Sequence, residues 1–209
     1  MGPGTQRSFV LLGAALALPI VLLVVIQLVF AFDRQRQEVE ARTLADAGQI
    51  VELVDARLDS DLGLMDALVT ADTFERHQWP EAYARAREIA AINPHWRNVI
   101  ISDLEAGREV FSLARPYSTQ DAPLNPAIGR GEQRVGGVYR EGAGCPCVYL
   151  STPIGQDGRY LLTVALDPAV FQSILVSHSP PDSITALVDR YGAFVARSED
   201  YAGRVGTPA

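Results

Sequence analysis

Two cysteines are the first residues here that could do chemistry. Cys145 and Cys147 flank Pro146 in "GAGCPCVYL" and are the only thiols of the chain. Two thiolates fall short of the four ligands of a structural zinc site, and no histidine lies nearby in sequence. On a strand, residues i and i+2 face the same way with Cα atoms about 6.6–6.8 Å apart. That is near the upper limit for a disulfide. Three readings stay open: two packed thiols, a strained local disulfide in an oxidising compartment, or a metal or redox site. His77, His95 and His178 are isolated from one another in sequence. His95, at a helix-to-strand corner, reads as a surface or capping residue. No G-x-S-x-G, H-E-x-x-H or phosphate-loop pattern occurs, and Asp55 and Asp59 read as solvated carboxylates on a helix. No catalytic residue, metal site or cofactor is expected, and so no enzyme within these residues.

Composition narrows the partners. The 209 residues are 48% hydrophobic and 21% charged, which fits a globular chain. All 18 basic residues are arginine, and the net charge is −7. No acidic residue precedes Asp33, so the negative charge falls on the rest of the chain, which would repel a phosphate backbone. Nucleic acid is therefore excluded as a partner.

The elements that must position any site begin with an apolar run. Residues 9–32, "FVLLGAALALPIVLLVVIQLVFAF", hold one polar residue, Gln27. As a helix they rise about 36 Å, enough to cross a hydrocarbon core of about 30 Å. A cleaved signal peptide needs only about 7–15 apolar residues, and a buried core helix would show a polar face. The run therefore reads as a single N-terminal anchor in the inner (plasma) membrane, after a short cytoplasmic tail at 1–8. Arg34, Arg36 and Arg42 follow it while Arg7 precedes it, so charge alone does not orient it. An exported remainder follows from the anchor's position after a very short tail.

Residues 33–95 read as a long amphipathic helix plus a second helix. Leu44, Val51, Leu58 and Met65 recur every seven residues. Ala47, Val54 and Leu68 fill the position three later, and Asp61 breaks that set. Such a stripe packs either on its own domain or on a second copy. For a homodimer, the helix would present Leu44, Val51, Val54, Leu58 and Met65. Gly48 and Gly63 weaken the helix, and Gly63 could mark a kink. Pro80 opens the second helix and Asn93-Pro94 stops it.

From residue 96 the pattern turns to strands, at 98–102, 109–115, 133–140, 147–154 and 160–167. An irregular Pro- and Gly-rich insertion follows the second. A helix at 167–178 is capped by Asp167 and opened by Pro168. The opening hairpin then recurs in outline at 185–198: Asp103, Gly107, Phe111 and Arg115 correspond to Asp189, Gly192, Phe194 and Arg197. The expected fold is α+β, with an antiparallel five-stranded sheet.

The order of parts, with "HWRNVIISDLEAGREVFSLARPY", "LTVALDPAVFQSIL" and "VDRYGAFVARS" followed by "VGTPA", resembles the double Cache (PDC) extracytoplasmic sensor region of bacterial membrane receptors, particularly sensor histidine kinases. The resemblance covers nearly the whole chain. It implies a PAS-like sheet at 96–180 as a membrane-distal sensor module. It makes 181–209 the first hairpin of a truncated membrane-proximal module. It further implies a periplasmic sensor, a homodimer through the long helix, and a small-molecule ligand such as an organic anion. On such a sheet, Arg97, Arg115, Tyr117, Tyr139 and Tyr149 are the candidate ligand-binding residues, with Arg115 able to hold a carboxylate in a bidentate fork. Two rival readings are a membrane-tethered assembly module without a small ligand, and the sensor region of a diguanylate cyclase or chemoreceptor.

Overall fold

A computed structural model describes the backbone of residues 3–118, 122–124, 134–140, 146–181 and 183–209, with the side chains of 3–26, 29, 33 and 140 outside that description. The chain divides into two units, Met1–Gly48 and Gln49–Ala209. The first is part of one helix, α1 (Pro3–Val69), which runs on into the second. In the first unit Arg36 pairs with Glu40 one turn on at 3.0 Å, and Leu28, Phe30, Phe32, Val39 and Leu44 are exposed. Among the described residues, no helix is long and apolar enough to cross a membrane. Most side chains of the 9–32 run lie outside the described set.

In the second unit, α1 is followed by α2 (Asp72–Glu75) and α3 (Trp79–Ile92). Then come β1 (Trp96–Asp103), β2 (Arg108–Ser112), β3 (Ala122–Pro123), β4 (Val135–Arg140), β5 (Pro146–Ile154) and β6 (Tyr160–Leu166). After α4 (Ala169–His178), a hairpin of β7 (Ala186–Val188) and β8 (Phe194–Arg197) precedes α5 (Tyr201–Arg204). The first six strands form one antiparallel sheet in the order β3-β2-β1-β6-β5-β4, and β7-β8 form a second, two-stranded one.

The main sheet thus has six strands where five were expected. The extra one, β3, pairs Arg108 with Pro123 and Glu109 with Ala122 at the sheet edge. Two residues are too short to show alternation, and a proline, lacking an N–H, is tolerated only at such an edge. β2 also ends earlier than its pattern suggested. The amide of Ala114 turns to Asn98 Oδ1 at 3.0 Å and that of Arg115 to the Ser112 carbonyl.

Side chains alternate across each strand, so the sheet has two faces. Val99, Ile101, Leu150, Ile154, Leu162, Val164 and Leu166 face the helices. They form the main core with Ile50, Val54, Met65 and Leu68 of α1, Phe74, Ala82 and Ala86 of the next two helices, and Phe171 and Leu175 of α4. Of the positions expected on a seam between two copies, Val54 and Met65 belong to this core and Leu58 packs against it. Leu44 and Val51 are 74% and 53% exposed. The stripe therefore divides between the chain's own sheet and solvent.

Asp61, the break in the stripe, is only 3% exposed. Its carboxylate accepts the Trp96 indole N–H at 2.8 Å and Arg57 Nε–H at 3.0 Å, and lies 2.8 Å from His95 Nε2. Arg57 also contacts His95. His95 is thus a partly buried member of this network and not the surface residue expected. One turn on, Asp66 accepts both Arg134 (2.6 and 2.7 Å) and the Thr152 hydroxyl (2.8 Å). The two carboxylates bolt α1 to the start of β1 and to the β4–β5 side of the sheet.

Asp61→Leu restores the apolar heptad, yet it is expected to destabilise the chain by about 3 kcal/mol, because Trp96, His95 and Arg57 lose their buried acceptor. A rise in the urea midpoint would refute this account. Gly63, by contrast, has nothing within 4 Å of where a Cβ would stand, and the helix runs unbroken through it. Gly63→Ala is expected to stabilise by up to about 1 kcal/mol in the same titration.

Candidate functional site

The sheet face turned away from the helices is unlike a core. Ile100, Tyr149, Leu161, Ala165 and Cys147 form a separate apolar cluster there, with Leu104 and Leu124 packed against it. Polar side chains are interleaved with them. The pairings Ile100–Ser112, Ile100–Thr163 and Ser151–Thr163 put one row across four strands. Ser112, Ser151 and Thr163 are all buried. Ser151 and Thr163 share a hydrogen bond of 3.1 Å, and Asn98 and Ser112 exchange bonds of 2.9 and 3.1 Å. Below them the Ser102 hydroxyl is buried and finds no partner among the described residues. Burial of polar groups carries a cost unless they are paired. Asn98, Ser112, Ser151 and Thr163 meet that cost by pairing with one another, and Ser102 is the exception on this face among the described residues.

The candidate residues separate on this geometry. Tyr149 is buried on the outer face. Tyr139, on the edge strand β4, pairs in register with Cys147 and lies beside Tyr149, their rings 6.3 Å apart and near-perpendicular. Arg115 stands at the rim, where Nη2 donates to Glu109 Oε2 at 2.7 Å. Glu109 is itself buried, and its register with Ser102 puts it on the outer face. Tyr117 lies elsewhere: its ring is 5.5 Å from that of Tyr83 on α3, and it packs on the helix-side core. Arg97 pairs with Asp167, through Nε at 2.8 Å and through Nη2. The other Asp167 oxygen accepts the Ala169 amide at 2.8 Å, so the residue caps α4 as its sequence suggested. The structure thus brings Tyr139 and Tyr149 together on β4 and β5, while Arg115 with Glu109 stands at β2, three strands from β5, and Arg97 and Tyr117 lie apart from both. Cys147 is buried on this face, whereas Cys145, and with it the disulfide reading, lies outside the described residues.

Sequence reasoning missed Asn98, Ser102, Glu109, Ser112, Ser151 and Thr163. Their signal was present in part. In β5 and β6 a small polar residue follows a core aliphatic, Leu150-Ser151 and Leu162-Thr163, the pattern of a strand with one core face and one different face, whereas β1 runs Val99-Ile100-Ile101 without alternation.

Both hairpins are fastened by a turn aspartate. Asp103 Oδ1 accepts the Ala106 amide at 3.0 Å, and its carboxylate takes Arg159 at 2.9 and 3.3 Å. Asp189 Oδ1 accepts the Tyr191 and Ala193 amides, each at 2.9 Å. Gly107 and Gly192, at φ 65° and 81°, supply the left-handed residue in each turn. The recurrence read from sequence is therefore a shared turn device.

The arrangement of helices and sheet has a counterpart among solved structures. It matches the ligand-binding domain of the Pseudomonas aeruginosa PAO1 amino acid chemoreceptor PctB in complex with L-Arg, with a TM-score of 0.51 and 16% identity, covering 76% of this chain and 68% of that one. The chain has the Cache-type fold of a chemoreceptor ligand-binding domain. A weaker likeness, TM-score 0.34 at 15% identity over 72% of this chain and 74% of the other, is to the ligand-binding domain of Campylobacter jejuni chemoreceptor Tlp3 in complex with L-valine. No family model matches the sequence, and no curated protein matches it. Among the described residues, no helix packs on the outer face.

Three carboxylates of the fold are held below the usual range. For Asp103 the Arg159 hydrogen bond is the main cause and outweighs burial. For Asp66 burial pushes upward, but the Arg134 and Thr152 hydrogen bonds together prevail. For Asp189 burial is likewise overcome, by the amides of Ala193, Val138 and Tyr191. An aspartate in an unfolded chain titrates near about 3.9. A lowered folded value stabilises the fold above that pH and is lost as pH falls through the folded value. Thermal unfolding is therefore expected to show a flat Tm from about pH 7 to 5 and a fall below about pH 4. Asp103→Asn should have a lower Tm at neutral pH and a shallower acid limb. An acid limb as steep as the parent's would remove Asp103 from this account.

Proposed function

We propose that the chain is the extracytoplasmic ligand-sensing region of a bacterial membrane signal-transduction receptor. The observation that carries this reading is the buried polar and aromatic layer on the outer face of the sheet, in a fold shared with a chemoreceptor ligand-binding domain. The reading supplies binding and no catalysis. The 9–32 run anchors the chain in the inner membrane with residues 33–209 in the periplasm. The sheet at 96–180 is the membrane-distal sensor module, and 181–209 begin the proximal one. Two copies meet along α1 through Leu44 and Val51, the stripe positions left exposed. The output is a histidine kinase on the strength of the sequence resemblance. A chemoreceptor output is the second reading, favoured by the likeness to PctB.

The ligand is a small molecule bearing a carboxylate. Arg115 supplies the fork for it, and the buried Glu109 beside it favours a ligand that also carries a positive charge. A ligand with both groups answers both side chains, as the L-Arg bound by PctB would. Arg97 and Tyr117 act indirectly, through Asp167 and Tyr83.

A thermal-shift screen of the full chain in nanodiscs, with α-amino acids set against the same acids lacking the amino group, tests this. An amino acid is expected to raise the Tm by several degrees, and the shift should vanish in Arg115→Gln. A panel that leaves the parent unmoved throughout would sink the ligand reading.

A further inference from the structure

The edge strand β4 carries Tyr139 to the outer face, and the twin glycines of "VGGV" let another part of the chain hold it. The register of β4 on β5 slips between Val135 and Val138, which makes Gly136-Gly137 a bulge. A Cβ on Gly136 would stand 3.0 Å from the Tyr149 carbonyl oxygen. One on Gly137 would stand 2.6 Å from Asp189 Oδ2 and 2.8 Å from the Tyr191 ring. The bulge is thus pressed between the outer-face strand β5 and the β7–β8 turn. The free edge is then closed by that turn. Val138 N–H donates to Asp189 Oδ2 at 2.9 Å, and Arg190 Nη2 donates to the Val135 carbonyl at 3.2 Å.

We infer that Asp189 is a positioning residue for the candidate ligand face. Its two oxygens divide the work. Oδ1 builds the turn through Tyr191 and Ala193, while Oδ2 reaches out to β4. A single carboxylate therefore ties the shape of the C-terminal hairpin to the placement of Tyr139 against Tyr149. Movement of β4 on ligand entry pulls on the hairpin, and a shift of the hairpin moves β4. The coupling is reciprocal by thermodynamic linkage. The inference rests on the ligand-sensing reading for its purpose, but the mechanical tie can be measured without a ligand.

Asn at this position separates the two oxygens. Its single carbonyl can still accept in the turn, while its NH₂ turned toward Val138 offers a donor to a donor. Hydrogen exchange on the full chain in nanodiscs, at residue resolution, reads the result. In Asp189→Asn, the Tyr191 and Ala193 amides should keep parent rates. The Val138 to Arg140 amides should exchange about tenfold faster, and so should those of Cys147 to Leu150. Ile101, Leu162 and residues 50–68 of α1 should stay within about twofold. Gly137→Ala leaves Asp189 intact but wedges the bulge off the turn, and it should give the same map. A change confined to Val138, or one spread evenly over the chain, would overturn the inference, because either is what a merely structural contact gives. The ligand reading fails separately, in the thermal-shift panel, and leaves this map as it is.

Discussion

One buried carboxylate fixes how helix and sheet meet. Apolar packing between α1 and the sheet is non-directional, and a helix resting on aliphatic side chains alone could slide or rotate at little cost. Asp61 removes that freedom. A carboxylate so deeply buried is tolerable only where its donors are, so the helix has one register in which Trp96, His95 and Arg57 all reach it. Asp66 repeats the constraint on the other side of the sheet, through Arg134 and Thr152. With the register fixed, Ile50, Val54, Met65 and Leu68 meet one face of the strands. Among the described residues no helix packs on the opposite face, and its chemistry differs accordingly.

The same economy recurs at the turns. Asp103 and Asp189 each close a turn with one oxygen and bind a neighbouring strand with the carboxylate, Asp103 to the Arg159 side chain and Asp189 to the Val138 amide. A charged acceptor is stronger than a neutral one, which lets a short hairpin such as β7–β8 dock without a large apolar face of its own. That hairpin adds Val195 and Ala196 to the main core, with Leu187 packed against it.

Much of this was legible in the residues. β-branched runs and, for the second strand, period-two alternation located the five longer strands, and Asp167 with Pro168 located α4, because these signals are local. Pairings across long separations were not legible. Arg97 and Asp167 stand seventy positions apart, and nothing in either neighbourhood names the other. The same is true of Asp61 and Trp96. Asp61 was visible as a break in the heptad, yet a break shows only that something is required there. Tyr117 was misplaced for a related reason. The turn after β2 reverses the alternation, so parity counted along the strand no longer tells which face a residue takes. The two-residue strand β3 offered no period at all.

The arginines that looked like ready anion clamps are, in the folded chain, already matched to carboxylates. This changes what a ligand must do. A bare anion at Arg115 would compete with the buried Glu109 for the same guanidinium, and weakening that pair would offset part of the attraction between the anion and Arg115. On the proposed ligand-sensing reading, the Glu109–Arg115 pair acts as a filter. It opens readily only to a molecule that brings both charges, or to one that leaves the pair intact and uses the hydroxyl and amide layer of Ser102, Ser112, Asn98 and Thr163. A ligand shifts a receptor by no more than its difference in affinity between the two arrangements. Exchange of one ion pair for another is a small net energy with a large change of geometry, since Arg115 and Glu109 lie on the strand edge and the turn that follows it. A sensing face benefits from that combination, because occupancy can be reversible and still move a strand.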